Sequence, residues 1–327
     1  RDAFIFADKS YGLRYYSNVD LSASTTISQP SKAIIVIHGT ARDADDYYCA
    51  MFGAAQIQGY QVTNQDIIII APRFMEHQDD PNANELYWTG AEDTGWKAGG
   101  NSVVPKNNEN NQVSSYAAID VIIDYLLIQQ KTVYPNLVNV TVVGHSAGGQ
   151  VTQRYALTTP LTLPQGYAVS YVAANPSTLC YLDSRRWFNN QVYRELTAAE
   201  QAACPSYNAW KYGFSENSEW KFPPYIVNQN LSLNEVQQRY KTRNVTYLQG
   251  TSDVCNSQVN TTCDDSDMDT SCEADIQGTF RLERGMNFLR SLGQIYGVPV
   301  HRISMVPFVG HDHVDMFQHP NGRRAIF

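Results

Sequence analysis

Long apolar runs are missing from this sequence. The longest, such as residues 33–37 and 67–71, are strand-length, whereas a membrane-crossing helix needs about 20 consecutive apolar residues, so no span is expected. Clusters of Lys and Arg are missing too. With 24 basic residues against 32 acidic ones and a formal net charge of −8, nothing here would track a phosphate backbone, and nucleic acid is not an expected partner. Charged residues make up only 17% of the chain and hydrophobic ones 43%, which excludes a disordered tail. No CxxC pair points to a zinc site. No internal repeat, and no linker rich in Pro, Gly or Ser, divides the 327 residues. The whole of 1–327 is therefore read as one domain, long enough to bury a core without staples.

What is present first indicates a compartment. The six cysteines (Cys49, Cys180, Cys204, Cys255, Cys263 and Cys272) are even in number. Four N-x-Ser/Thr acceptors stand at Asn139, Asn230, Asn244 and Asn260. With Arg1 in place of an initiator Met and 21 tyrosines, the chain reads as a secreted eukaryotic protein freed of its signal peptide, with N-glycans expected at those asparagines.

Strand-like runs alternate with helical ones. Residues 33–37, 67–71, 138–143, 168–173, 245–248 and 300–306 are short and continuously apolar, which suits parallel strands buried on both faces. Ile119, Ile122, Ile123, Leu126 and Leu127 form one apolar stripe on a helix over 113–130. Leu282, Met286, Leu289 and Tyr296 form another, closed by Gly297 with Pro299 just beyond. The alternation predicts an α/β fold with a mostly parallel, doubly wound sheet. Two stretches exceed what a minimal sheet needs. Residues 76–111, with Trp88, Trp96 and many Asn, read as a long functional loop, and residues 175–240 as a cap or lid insertion.

The chemistry concentrates at Gly144-His145-Ser146-Ala147-Gly148, directly after the run 138–143. A nucleophile at a sharp strand-to-helix turn needs small neighbours so that strand and helix can approach closely, and Gly144 and Gly148 meet that demand. The helix N-terminus then points amides toward Ser146, where negative charge develops during acyl transfer. A serine hydroxyl also needs a base and an orienting carboxylate. The run 245–248 leads through Gly250 to Asp253, and the run 300–306 leads through Gly310 to His311. His313 is the competitor to His311, and Asp183 the alternative acid. On the oxyanion side, the run 33–37 ends in His38-Gly39-Thr40, so the N–H of Thr40, with Gly39 as alternative, joins that of Ala147 as a donor pair.

Taken together, His38-Gly39-Thr40, Gly144-His145-Ser146-Ala147-Gly148, Asp253 and His311 resemble the α/β-hydrolase superfamily in order and spacing. Gly-x-Ser-Ala-Gly-Gly is also similar to extracellular esterases of the feruloyl esterase and polyhydroxyalkanoate depolymerase kind. The resemblance implies ester, thioester or less often amide hydrolysis through an acyl-enzyme, with no metal or organic cofactor. An esterase acting on small or polymeric extracellular esters leads. A serine peptidase or amidase, a lipase or polyester depolymerase, and a non-catalytic binding protein on the same fold are the alternatives.

Several other features need weighing. Asp265, Asp267 and Asp269 alternate as in a Ca²⁺ cradle, but the EF-hand Gly and Glu positions hold Thr270 and Ile276, so a solvated acidic loop is expected instead. His311-x-His313 with Asp315 has zinc-ligand character, but His311 is better used on the serine, and no metal is expected. His145, Trp88 and Trp96 are candidates for lining a substrate pocket, with plain packing as the alternative for the tryptophans. Among the cysteines, Cys180 with Cys204 is the expected staple of the insertion. A bridge from Cys255 to Cys263 or Cys272 would brace the loop carrying Asp253, and Cys49 would take whichever remains.

Overall fold

The structure is a computed structural model, and it describes residues 3–6, 11–21, 29–91, 93–106, 111–260, 262–263 and 268–327. In chain order the strands are β1 (Ala3–Phe6), β2 (Tyr11–Ser17), β3 (Lys32–Ile37), β4 (Ile68–Pro72), β5 (Asn139–His145), β6 (Ala168–Ala174), β7 (Arg185–Phe188), β8 (Val192–Glu195), β9 (Asn244–Gly250) and β10 (Arg302–Val306). Eight of them form one sheet in the order β1-β2-β4-β3-β5-β6-β9-β10, and β7 and β8 pair separately as a hairpin. From β4 to β10 every neighbour runs parallel; β2 joins β4 antiparallel, and β1 joins β2 the same way.

The six apolar runs are the six parallel strands. In the inner strands successive side chains point to opposite faces and both faces are covered, which favours continuous apolar sequence; the edge strand β10 is exposed at its start and buried only at Val306. In β3, Ile35 and Ile37 enter one buried layer while Ile34 and Val36 enter the other. The helices supply those layers: α1 (Ala44–Gln58), α2 (Ser115–Asp124), α3 (Ala147–Thr158), α4 (Ala198–Ala203), α5 (Pro224–Val227), α6 (Leu233–Lys241), α7 (Cys272–Asp275), α8 (Arg281–Tyr296), α9 (His313–Gln318) and α10 (Pro320–Ile326). Residues of α2, α3 and α8 pack on one face, and those of α1, α9 and α10 on the other. The doubly wound α/β sheet expected from the sequence is the observed architecture.

The strands β2, β7 and β8 carry no continuous apolar run, and the four-residue apolar run of β1 is too short to mark a strand on its own. β2 lies toward the sheet edge with mixed burial, and the β7–β8 hairpin stands apart from the main sheet. The helix expected over 113–130 is α2 followed by a wider turn at Tyr125–Gln129, and all five residues of its stripe are buried. The second helix needs a correction. α8 ends at Gly297 (φ 73°) as expected, yet the stripe Leu282, Met286, Leu289 and Tyr296 is not its buried face. That face carries Arg281, Arg284, Gly285, Phe288 and Leu292, because two arginines are drawn inward by buried oxygens.

Of the expected cysteine pairings, Cys255 with Cys263 is observed, whereas Cys180 with Cys204 and a partner for Cys49 are not. Cys204 bonds Cys272, and Cys255 bonds Cys263, while Cys49 and Cys180 are free. Cys180 is sealed in the core, where burial pushes its thiol up to about 12, and its N–H is held by Gln153 of α3. Cys49 rides on α1, across the sheet from the layer that contains Cys180, so the two cannot meet.

Candidate active site

Ser146 sits between β5 and α3 with φ 58° and ψ −120°, a conformation that L-residues rarely adopt. The surrounding glycines make this turn sterically feasible. A Cβ on Gly144 would lie 2.1 Å from the Gly148 carbonyl oxygen, and one on Gly148 would lie 2.2 Å from that of Ile37. The Ser146 N–H donates to the Ala174 carbonyl at the end of β6, at 3.0 Å. Every residue of α3 is buried, so the serine leads into a helix packed on all sides.

The carboxylate and imidazole come from neighbouring strand ends. Asp253 follows β9 and His311 follows β10, and their loops are laced together. Thr251 N–H donates to Val306 O at 3.0 Å, Ser252 N–H to Val309 O at 2.9 Å, and Phe308 N–H to Thr251 Oγ1 at 2.8 Å. Asn175, buried at the end of β6 with φ 41°, ties both loops: its Oδ1 accepts from Gly250 N–H at 2.8 Å and its Nδ2 donates to Gly310 O at 3.0 Å. The result is a 2.8 Å contact between His311 Nδ1 and Asp253 Oδ2. Asp253 is buried, and its other oxygen faces the buried guanidinium of Arg281 at 3.6 Å.

The imidazole stands over the serine turn. The His311 ring lies 4.5 Å from that of His145, the residue before Ser146. Ser146 Oγ itself makes no hydrogen bond with His311 among the described residues; in free enzymes such links are commonly long and tighten around substrate. His313 stacks on Tyr47 at 4.2 Å, lies farther from His145, at 6.2 Å, and bonds no carboxylate among the described residues. Asp183 is bound to Arg185 and Tyr193. Of the candidate pairs, His311 with Asp253 is the one that the fold brings together.

On the opposite side, Thr40, Ser146 and Ala147 line one cavity of about 270 Å³. The N–H groups of Thr40 and Ala147 have no hydrogen-bond partner among the described residues. His38 holds this turn. Its Nε2 accepts from Phe74 N–H at 2.9 Å, which places the proton on Nδ1 facing Gly39 O at 2.8 Å. Burial lowers His38 to about 4, so it is a neutral strut.

The rest of the cavity wall was missed in the sequence. Lys97, Gln150, Lys211, Tyr212, Trp220, Asp269 and Glu273 line it. Lys211 Nζ lies 4.0 Å from Asp269 Oδ2, which also accepts from the Tyr212 hydroxyl at 2.7 Å. Burial alone would raise Asp269, but Lys211, Tyr212 and Ser271 outweigh it and hold the carboxylate low. Asp269 is thus committed to protein partners rather than to a Ca²⁺ cradle, and Asp265 and Asp267 lie outside the described residues. Trp88 and Trp96 are not on the wall. Both are buried, donating to Val113 O and Glu76 Oε1, with Trp96 stacked on Phe74. His145 is likewise buried, between Tyr47 and His311, and burial lowers its pKa well below the usual histidine value.

No protein-family model matches the chain, and no curated relative matches it. Among solved structures it is similar to poly(aspartic acid) hydrolase-1 from Sphingomonas sp. KT-1, at 19% identity and TM-score 0.62, over 99% of this chain and 97% of that one. It is also similar to the LpqC poly(3-hydroxybutyrate) depolymerase from Bordetella parapertussis, at 17% identity and TM-score 0.54, over 93% of this chain and 86% of that one. At these identities the likeness is one of architecture. The chain has the α/β-hydrolase fold.

Proposed function

We propose that this chain is a secreted serine hydrolase that cleaves carboxylic esters through an acyl-enzyme. The observation that carries the reading is the strained Ser146, which shares a cavity with two unengaged amides and lies beside an imidazole bonded to a buried carboxylate. In the proposed reaction, Ser146 Oγ attacks the ester carbonyl while His311 Nε2 takes its proton. Asp253 keeps the Nδ1–H tautomer oriented and stabilises the imidazolium. The Thr40 and Ala147 amides receive the developing oxyanion. His311 then protonates the leaving alcohol, and water repeats the sequence to free the acid and restore the serine.

The secreted assignment draws support from the two disulfides and from the exposed positions of Asn139, Asn230, Asn244 and Asn260. The chemistry is tested by comparing p-nitrophenyl acyl esters with peptide anilides. The esters should be turned over in preference to the anilides, and Ser146→Ala should lower ester kcat/KM by about 10⁴-fold or more. Near-normal turnover in Ser146→Ala would refute the reading.

A further inference from the structure

Glu273 is the unexplained group in the cavity that holds Ser146. Its side chain lines the same wall, the residue is only 9% exposed, and its carboxylate has no hydrogen bond or ion pair among the described residues, its oxygens opening to the cavity rather than being sealed off. A mostly enclosed carboxylate that meets only the cavity is a ready acceptor for a donor that enters there. This chain supplies partners to the neighbouring acid instead: Asp269 has Lys211, Tyr212 and Ser271. Glu273 is also fixed in place. The adjacent Cys272 is bonded to Cys204, and the disulfide sulfurs lie within 4.8 Å of the Glu273 carboxylate. An unpaired carboxylate on the wall of the cavity that holds Ser146 is suited to a donor that arrives with the substrate.

We infer that Glu273 is a specificity residue that binds a protonated amine on the substrate, so that the preferred esters carry an ammonium group on the acyl or the alcohol side. This deepens the reading of Ser146 as nucleophile and rests on it. An ammonium group offers three N–H donors and a full charge, which a neutral ester lacks. Lys97 and Lys211 share the wall and oppose a second cation. Lys211 is matched by Asp269, and Lys97 Nζ lies 6.0 Å from the Trp96 ring centroid. The ammonium is therefore directed to Glu273 rather than to the cavity at large.

The test uses matched ester pairs, one ending in an ammonium group and its isostere ending in a methyl, with the amine on the acyl side in one pair and the alcohol side in the other. The readout is the ratio of kcat/KM within each pair, which cancels differences in folded fraction. In the wild type at least one pair should favour the ammonium ester by about ten- to hundred-fold, the scale of one hydrogen bond to a charged group. Glu273→Gln should bring that ratio to about one, while Glu273→Asp, which keeps the charge, should retain part of it. No preference in either pair, or a preference that survives Glu273→Gln, overturns the inference. Calorimetric binding of the same compounds to Ser146→Ala separates the two readings. If the wild type hydrolyses no ester, the proposed function fails, and the binding ratio with and without Glu273→Gln still decides the role of Glu273.

Discussion

Single residues in this chain were legible in proportion to how local their physical demands are. Ser146 stood out because its turn requires small neighbours on both sides, and that demand is written in adjacent positions. Arg281, Asn175 and Glu273 left no such mark, because what makes each of them matter is a partner, or the lack of one, set by distant segments. His38 lies between these cases. Its place after β3 was visible, but its role as a neutral strut depends on Phe74. That role has a pH consequence. The folded chain holds His38 at about 4 against an ordinary value of 6.5, so below pH 6.5 the unfolded chain takes a proton that the fold refuses. The contribution is complete above about pH 6.5 and is lost as the pH falls toward 4, by about 3 kcal/mol. Urea unfolding at pH 7 and pH 4.5 should show a larger loss for the wild type than for His38→Gln. Equal losses would mean that His38 is not held neutral.

At the scale of elements, the inner parallel strands were readable because burial on both faces favours apolar sequence, and the edge strand β10 was readable from Ile303, Met305 and Val306 despite its exposed start. β2, β7 and β8 mix polar and apolar residues, and β1 is only four residues long, so these were not readable. The helix α8 differs, since its apolar stripe is not the buried face, which Arg281 and Arg284 occupy instead. The oxygens that hold the arginines belong to Asp253, Ser177, Gly278 and Asp269, which no helical period can reveal. The lacing of the β9 and β10 loops is equally invisible in sequence, and it positions the imidazole. Removing its buried clasp in Asn175→Ala leaves Gly250 N–H and Gly310 O without their partner, at about 1–3 kcal/mol for each group. The loop carrying His311 should then lose its register, and kcat on a p-nitrophenyl ester should fall about ten- to hundred-fold. An unchanged kcat would show that the loops hold His311 without Asn175.

At the scale of the whole molecule, the parallel sheet gathers the ends of β3, β5, β9 and β10 at one edge, so that residues remote in sequence meet around the Ser146 turn, with Thr40, Ser146 and Ala147 on the cavity and the His311–Asp253 pair on its other side. The order of strand-end motifs made that convergence readable, although the charged wall of the cavity was not. The disulfide between Cys204 and Cys272 belongs to the same scale. It links the segment between β6 and β9 to the helix that presents Glu273, across a sequence separation of 68 residues. A staple of the insertion from Cys204 to Cys180 is not formed, because folding draws Cys180 into the core.

The central claim is that His311, held by Asp253, makes Ser146 reactive. Its most direct test is the rate of labelling by a fluorophosphonate, with the adduct located by peptide mapping, in the wild type, His311→Ala and His313→Ala. The account predicts a single adduct on Ser146, formed at least about 100-fold more slowly in His311→Ala and at a rate near that of the wild type in His313→Ala. An adduct on another residue, or labelling of His311→Ala at the wild-type rate, would contradict it.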